Sequence, residues 1–184
     1  YDAWGHQNEA YSFAFHRPAT MLAMDMGTGK SKVACDLIVN WGCKSTLILC
    51  PKTVLGVWRR EIAKHAQGLH GATYILDGKQ TTAKKAEMLQ RWTQRQLAAG
   101  QPRVVVVNYD SAWRGDLGRL LLGDKWDCII LDESHRIKSH GSQVSKWCAK
   151  LGRKSARRLC LTGTPMDTPL DAYGQYRFLD AGVF

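Results

Sequence analysis

The stretch that decides the fold is Met26-Gly27-Thr28-Gly29-Lys30-Ser31, near the start of a chain of 184 residues. Its glycines let the backbone curl close to phosphate oxygens, and a helix predicted to begin near Lys30 points its amide end at the same anion. Lys30 would pair with the β- and γ-phosphates of a nucleotide, and Ser31 would bind Mg²⁺ through its hydroxyl. The general pattern has a further glycine where Met24 stands, so this segment alone is also compatible with an ordinary glycine turn.

An acidic motif, Leu131-Asp132-Glu133-Ser134-His135, follows an apolar run near the other end of the sequence. Asp132 is suited to hold Mg²⁺, directly or through water, and Glu133 to orient and deprotonate the water that attacks the γ-phosphate. An Asp-Glu pair after a strand is usually only a polar loop, but after a phosphate-binding loop it is much more specific. The two motifs together predict an ATPase that binds ATP with Mg²⁺ and uses Lys30, Asp132 and Glu133 in catalysis.

Apolar runs of strand length alternate with longer segments of helical period, which is typical of a parallel sheet wrapped by helices. Runs such as Val104-Val105-Val106-Val107 are apolar throughout, because a strand covered on both faces has no solvent side. The predicted strands span 20–23, 45–50, 72–76, 103–107, 127–131 and 158–161. The predicted helices span about 30–41, 53–67, 80–99, 114–122, 142–151 and 169–179. We therefore expect one doubly wound α/β domain over residues 1–184, with both phosphate motifs at the carboxyl ends of strands.

The composition limits the environment and the partners of the chain. Lys and Arg total 26 against 16 Asp and Glu, and the net charge of +10 favours a polyanionic partner, although a merely soluble basic surface is equally compatible. The cysteines lack the close paired spacing of metal sites, so we expect reduced core residues of an intracellular protein. No apolar stretch approaches the roughly 18 to 20 residues that cross a bilayer. We expect no membrane partner, and a location in the cytoplasm of a bacterium or phage host, or in a eukaryotic nucleus.

Four further segments complete a known pattern. Asp132-Glu133-Ser134-His135-Arg136-Ile137-Lys138-Ser139 extends the acidic motif, and Leu161-Thr162-Gly163-Thr164-Pro165-Met166 follows it. Leu47-Ile48-Leu49-Cys50-Pro51, with Trp58 nearby, and Val107-Asn108-Tyr109-Asp110 lie between the two phosphate motifs. In this order they resemble motifs II, III, Ia and Ib of the superfamily-two helicase-like ATPases, and within them of the Swi/Snf-type DNA translocases. The resemblance covers essentially the whole chain.

The resemblance implies a RecA-like P-loop NTPase fold, of which this chain would be the first lobe. It implies that Gln7, otherwise only a polar residue of an N-terminal helix, contacts adenine. Residues that would couple the state of the γ-phosphate to nucleic-acid contact are His135, Thr162, Gly163 and Thr164; without the resemblance, the last three indicate only a turn at a strand end. Residues that would touch a nucleic-acid backbone, independently of sequence, are Lys52, Thr53, Asn108 and Tyr109. A basic cluster either extends that track or forms a solvated face, and comprises Lys146, Lys150, Arg153, Lys154, Arg157 and Arg158.

The chain also departs from the pattern of that family. Ser31 replaces a threonine but keeps the hydroxyl that Mg²⁺ needs. Ser134 stands where the family has alanine or glycine, Ser139 where it has asparagine, and Asp167-Thr168 where it has Gln-Asn. These changes weaken the assignment to the Swi/Snf group more than they weaken the prediction of the fold.

The function that the resemblance implies is that of the ATP-binding lobe of a DNA-dependent ATPase that moves on duplex DNA. Such motors use arginine fingers from a second RecA-like lobe, which we expect elsewhere in the full-length protein, so the isolated lobe should be nearly inactive. One alternative is a strand-separating DNA or RNA helicase. Another is a nucleic-acid-binding module without ATP turnover, against which the intact Lys30, Ser31, Asp132 and Glu133 argue. A small-molecule kinase fits poorly, because it has no use for Thr162-Gly163-Thr164-Pro165.

Overall fold

The computed structural model describes residues 3–139, 141–164 and 169–180 of the chain. Of the predicted third motif, Pro165 and Met166 lie outside the described residues, as do Asp167 and Thr168. The same holds for residues 1–2 and 181–184, at the two ends of the predicted domain.

A six-stranded sheet forms the centre of the molecule, in the order β1-β6-β5-β2-β4-β3, and every neighbouring pair is parallel. The strands are β1 (Ala19–Ala23), β2 (Ser45–Cys50), β3 (Thr73–Leu76), β4 (Arg103–Asn108), β5 (Trp126–Asp132) and β6 (Ser155–Thr162). All residues of β2 and β4 are buried, as expected for strands that are covered on both faces.

Helices connect the strands and cover the sheet. The described α-helices are α1 (Gly5–Phe15), α2 (Lys30–Asn40), α3 (Leu55–His65), α4 (Gln67–His70), α5 (Thr82–Ala98), α6 (Tyr109–Ala112), α7 (Gly115–Gly123), α8 (Gln143–Gly152) and α9 (Pro169–Leu179). Two 3₁₀ turns, Lys52–Val54 and Ser134–Ile137, follow β2 and β5. None of these helices is long and apolar enough to cross a membrane, within the part of the chain that the structure describes.

The alternation of side chains along the strands produces a core on each face of the sheet. One core joins Leu47, Val105 and Ile129 to residues of α5, α7, α8 and α9. The other joins Ile48 and Val106 to residues of α1, α2 and α3. The predicted doubly wound α/β fold is therefore confirmed.

Most differences from the predicted elements are at their ends. The helix predicted over 53–67 is divided into a 3₁₀ turn, α3 and α4, and the break falls at Ala66, whose backbone is not helical (φ −135°, ψ 52°). Strand β6 begins at Ser155, before the predicted residue 158. The six cysteines are all free and buried, as predicted.

Candidate active site

The predicted phosphate-binding loop connects β1 to α2. Gly27 and Gly29 have φ values of +78° and +86°, which residues with a side chain rarely adopt. Gly29 immediately precedes α2 and takes the left-handed conformation there. The loop is further fixed by Thr28, whose hydroxyl donates to the carbonyl oxygen of Asp25 at 2.7 Å. This conformation, with the amino end of an 11-residue helix behind it, suits the approach of an anion.

Lys30 is a buried cation, with 8% of its surface exposed. Its Nζ atom donates to the carbonyl oxygens of Met24 and Asp25 at 2.9 and 3.0 Å. Both acceptors are neutral, and no carboxylate of the described chain lies within ion-pair distance of this ammonium. A buried ammonium held only by carbonyl groups is suited to an incoming phosphate.

Asp132 ends β5 and is 5% exposed. Its Oδ2 accepts a hydrogen bond from Trp58 Nε1 at 2.8 Å, and its Oδ1 accepts one from the backbone N–H of Glu133 at 3.0 Å. Burial raises the pKa of the Asp132 carboxyl to about 6, while the Trp58 indole and the Lys30 ammonium act in the opposite direction. This carboxylate is therefore fixed in orientation and gains from a nearby cation.

Glu133 has a left-handed backbone (φ 50°, ψ 53°), and no other described non-glycine residue has a positive φ. Such a conformation is strained for a residue with a Cβ atom and is often found at functional sites. Its carboxylate Oε2 lies 3.3 Å from His135 Nδ1. The His135 Nδ1 atom makes no hydrogen bond in the described part of the chain, so this is a close approach without a hydrogen bond.

Residues of the predicted third motif lie beside the phosphate-binding loop. The carbonyl oxygen of Thr162 accepts a hydrogen bond from the N–H of Met24 at 3.1 Å, which continues the pairing of β1 with β6. The Thr162 side chain is fully buried and accepts from the N–H of Thr164 at 3.1 Å. A Cβ atom added to Gly163 would lie 3.4 Å from Met26 Cγ. The structure thus brings the third motif against the loop that would hold the phosphates.

Gln7 of α1 also packs against this loop. Its Nε2 donates to the carbonyl oxygen of Thr28 at 2.9 Å, and its Oε1 accepts from the N–H of Trp4 at 3.1 Å. The amide keeps one further hydrogen and one further lone pair. Gln7 lines a pocket with Gly27 and Gly29, which is compatible with the predicted contact to adenine.

The residues of the two motifs that are predicted to bind phosphate and Mg²⁺ converge on one open pocket of about 290 Å³ at the carboxyl edge of the sheet. We call it the phosphate pocket. Predicted residues that line it are Met26, Gly27, Gly29, Lys30, Ser31, Asp132 and Glu133. Sequence reasoning missed Glu61 of α3, which lines both this pocket and the one beside Gln7. These residues fit Mg²⁺ bound with a nucleotide, because they combine a hydroxyl, a buried carboxylate and a loop suited to anions.

Two of the predicted nucleic-acid contacts lie at an accessible position. Lys52 and Thr53 are exposed on the 3₁₀ turn that follows β2. They therefore lie at the same edge of the sheet as the phosphate pocket.

The other two predicted contacts, Asn108 and Tyr109, need correction. Both are 5% exposed. The Asn108 side chain accepts from the N–H of Ser111 at 2.9 Å and caps α6, whereas the Tyr109 hydroxyl donates to the carbonyl oxygen of Asp132 at 2.8 Å. Because both side chains are buried and engaged in the protein, neither is available to a polyanion in this structure.

The basic cluster does not extend the accessible track as a whole. Arg153 and Lys154 are exposed, but they precede β6 and so lie at the amino edge of the sheet, opposite the phosphate pocket. Arg157 donates to the carbonyl oxygens of Phe15 and Arg17, and Arg158 to those of Gly152 and Ser155. The guanidinium groups of these two arginines are therefore engaged in hydrogen bonds within the protein.

Known proteins resemble this chain both in sequence and in fold. The profile of the SNF2-related domain matches residues 6–184. Among curated proteins, the chain is 36% identical over 141 residues to DNA repair protein RAD5A of Arabidopsis thaliana, covering 72% of this chain and 12% of that protein. It is 33% identical over 171 residues to the probable ATP-dependent DNA helicase CHR23 of the same plant, covering 89% of this chain and 15% of that protein.

Among solved structures, the SWI2/SNF2 ATPase core of Sulfolobus solfataricus in complex with double-stranded DNA has the same fold, with a TM-score of 0.80 and 22% identity. That match covers 99% of this chain and 36% of the other. The chain thus corresponds to about one third of that ATPase core and to a much smaller share of the two plant proteins.

Proposed function

This chain belongs to the SNF2-related domain family, and from that premise we propose that it is the ATP-binding lobe of a DNA-dependent ATPase that moves on duplex DNA. The observation that carries the proposal is the convergence of Lys30, Ser31, Asp132 and Glu133 on one pocket. These residues come from two segments far apart in the sequence, and together they offer what ATP hydrolysis requires.

Each residue of the pocket has a task in this proposal. The amides of the loop and the Lys30 ammonium bind the β- and γ-phosphates, exchanging neutral carbonyl partners for an anion. Ser31 and Asp132 would hold Mg²⁺, which when bound neutralises charge on the phosphates. Glu133 orients the attacking water and accepts its proton.

Duplex DNA is the proposed track. Its support is the net charge of +10 together with the exposed Lys52 and Thr53 at the edge of the sheet that carries the phosphate pocket. An exposed lysine beside the pocket suits contact with phosphates, which requires no particular base sequence. One solved structure that shares this fold, the SWI2/SNF2 ATPase core of Sulfolobus solfataricus, is a complex with double-stranded DNA.

A second RecA-like lobe is proposed elsewhere in the full-length protein. This chain covers 36% of the matching ATPase core, and 12% and 15% of the two plant proteins. An arginine supplied from outside the first lobe is worth about 10³ to 10⁵ in rate. The isolated chain is therefore expected to bind ATP weakly and to hydrolyse it very slowly.

The test is ATP turnover by the full-length parent protein without nucleic acid and with duplex DNA, single-stranded DNA or RNA. A Lys30→Ala variant serves as the control. Stimulation by duplex DNA that this variant abolishes supports the proposal. Stimulation by a single strand or by RNA alone would favour a strand-separating helicase, and no turnover under any condition would leave a binding module.

A further inference from the structure

The Asp132 carboxylate is held by a side chain that the phosphate motifs do not include. Trp58 of α3 is fully buried, and its indole Nε1 donates to Asp132 Oδ2 at 2.8 Å. The second carboxylate oxygen, Oδ1, accepts from the N–H of Glu133. With one donor on each oxygen, the carboxylate cannot rotate without losing a buried hydrogen bond.

The main chain of Asp132 is held in a similar way. The hydroxyl of Tyr109 donates to the carbonyl oxygen of Asp132 at 2.8 Å, and the Tyr109 side chain is also buried. Strand β5, which carries Asp132, pairs with β2 and β6 but not with β4. The Tyr109 hydroxyl therefore joins Asp132 to the segment that directly follows β4, a strand with which β5 does not pair.

Both donors belong to segments that begin at the carboxyl edge of the sheet. Trp58 lies in the helix that continues the 3₁₀ turn of Lys52 and Thr53, after β2. Tyr109 is the first residue of α6 and directly follows β4. The segments that follow β2 and β4 thus both contact Asp132, the last residue of β5.

We propose that Trp58 and Tyr109 are positioning residues, which hold the side chain and the main chain of Asp132 in the orientation that binds Mg²⁺ with the nucleotide. This inference rests on the proposed function, since it assigns a task to Asp132 in ATP binding. Groups behind a metal ligand commonly set its orientation, and their loss weakens metal binding by about 10- to 100-fold.

The test measures the affinity of the chain for a fluorescent ATP analogue, with Mg²⁺ and again with EDTA. Trp58→Phe removes the indole N–H and keeps an aromatic ring in the core, and Tyr109→Phe removes only the hydroxyl. Trp147→Phe is the matched control, because Trp147 is also buried and donates its indole N–H to a carbonyl oxygen, that of Gly118, at 3.3 Å.

We expect Trp58→Phe to weaken binding by about 10-fold or more when Mg²⁺ is present. Tyr109→Phe should weaken it less, because it frees a carbonyl oxygen and not the carboxylate itself. With EDTA, both variants should bind the analogue as the wild type does. A merely structural role for Trp58 would lower both affinities together, and Trp147→Phe should change neither.

A second measurement uses only the wild type, so it does not depend on whether a variant folds. In a ¹⁵N spectrum of the wild type, the indole resonance of Trp58 should shift when Mg²⁺ is added to the nucleotide-bound chain, while that of Trp147 stays in place. An unmoved Trp58 resonance, or equal Mg²⁺-dependent affinities for wild type and Trp58→Phe, would overturn the inference and leave the proposed function standing. A wild type that binds no nucleotide would overturn both.

Discussion

Replacing Glu133 by glycine is expected to stabilise the chain although it removes the carboxylate that we propose to be catalytic. Glu133 has a left-handed backbone (φ 50°, ψ 53°). That conformation costs a residue with a Cβ atom about 1 to 2 kcal/mol, and glycine avoids the clash. Glycine offsets part of this gain, by about 0.5 to 1 kcal/mol, because it loses more backbone freedom on folding than alanine does.

Alanine is the matched control for this change. Glu133→Ala removes the same carboxylate, and with it the contact to His135, but keeps the Cβ atom and the strain. The difference in the free energy of unfolding between the glycine and alanine variants therefore reports the backbone contribution alone. Subtracting the glycine cost from the strain leaves about 0 to 1.5 kcal/mol in favour of glycine, with the midpoints of the two ranges giving about 0.75 kcal/mol.

The assay is urea unfolding of the isolated chain, supported by thermal unfolding. A difference of 1 kcal/mol corresponds to about 2 to 4 °C in Tm for a chain of this length. Both variants should lose the ATP turnover of the parent protein. An alanine variant as stable as the glycine variant, or more stable, would refute the claim that Glu133 is strained.

Three further outcomes follow from the same geometry. Burial raises the pKa of Asp132 to about 6, and only the ionised carboxylate holds Mg²⁺. Mg²⁺-dependent nucleotide binding should therefore weaken as the pH falls through that value. The Asp132→Asn variant should show only the pH dependence that comes from the nucleotide itself. Gly29→Ala should lower the free energy of unfolding, because φ is +86° and the new Cβ would lie 2.3 Å from Gln7 Nε2; adding Gln7→Ala should recover part of that lost stability, and no recovery of stability would exclude the clash. Gly174→Ala should lower the free energy of unfolding by about 1 to 3 kcal/mol, because its Cβ would lie 2.0 Å from the carbonyl oxygen of Ile137. The control, Gly56→Ala, places its Cβ in open space and should raise the free energy of unfolding by about 0.5 to 1 kcal/mol. Urea unfolding measures both.

The sequence alone predicts the sheet well where strands are apolar throughout. The predicted limits of β2 match the structure, those of β4 differ by one residue at one end, and those of β5 differ by one residue at each end. The predicted β6 begins at Arg158, whereas the strand begins at Ser155. The three residues before Arg158 form no apolar run. The Arg157 guanidinium donates to the carbonyl oxygen of Phe15, so a charged residue continues the strand where the apolar pattern ends.

The same limit applies to the candidate site. Residue type and spacing indicate Lys30, Ser31, Asp132 and Glu133, because each motif is local in sequence. The hydrogen bond from Trp58 to Asp132 joins residues 74 positions apart. Leu55, Trp58 and Ile62 form the buried face of α3, and the partner of the Trp58 indole N–H depends on how that helix packs against the sheet.

The burial of Asn108 and Tyr109 has a related cause. The family resemblance implies that both residues touch a nucleic-acid backbone, from the sheet edge where strand ends collect binding sites. The same position also suits a helix cap, and Asn108 accepts the N–H that α6 leaves free. For Asn108 the sequence cannot separate these two tasks, since both need a short polar side chain at the end of a strand. For Tyr109 the hydrogen bond to Asp132 joins residues 23 positions apart, which no local pattern predicts.

Ser134 shows how a departure from a family pattern is accommodated. The resembling motif has alanine or glycine at this place, and a buried hydroxyl without a partner would destabilise the chain by about 1 to 3 kcal/mol. Ser134 is fully buried, but its Oγ donates to Oε1 of the equally buried Gln175 at 2.5 Å. The serine is therefore matched by a residue of α9, and the exchange ties the acidic motif to that helix without touching Asp132 or Glu133. The departure that weakened the assignment in sequence is, in the fold, a compensated substitution behind an intact site.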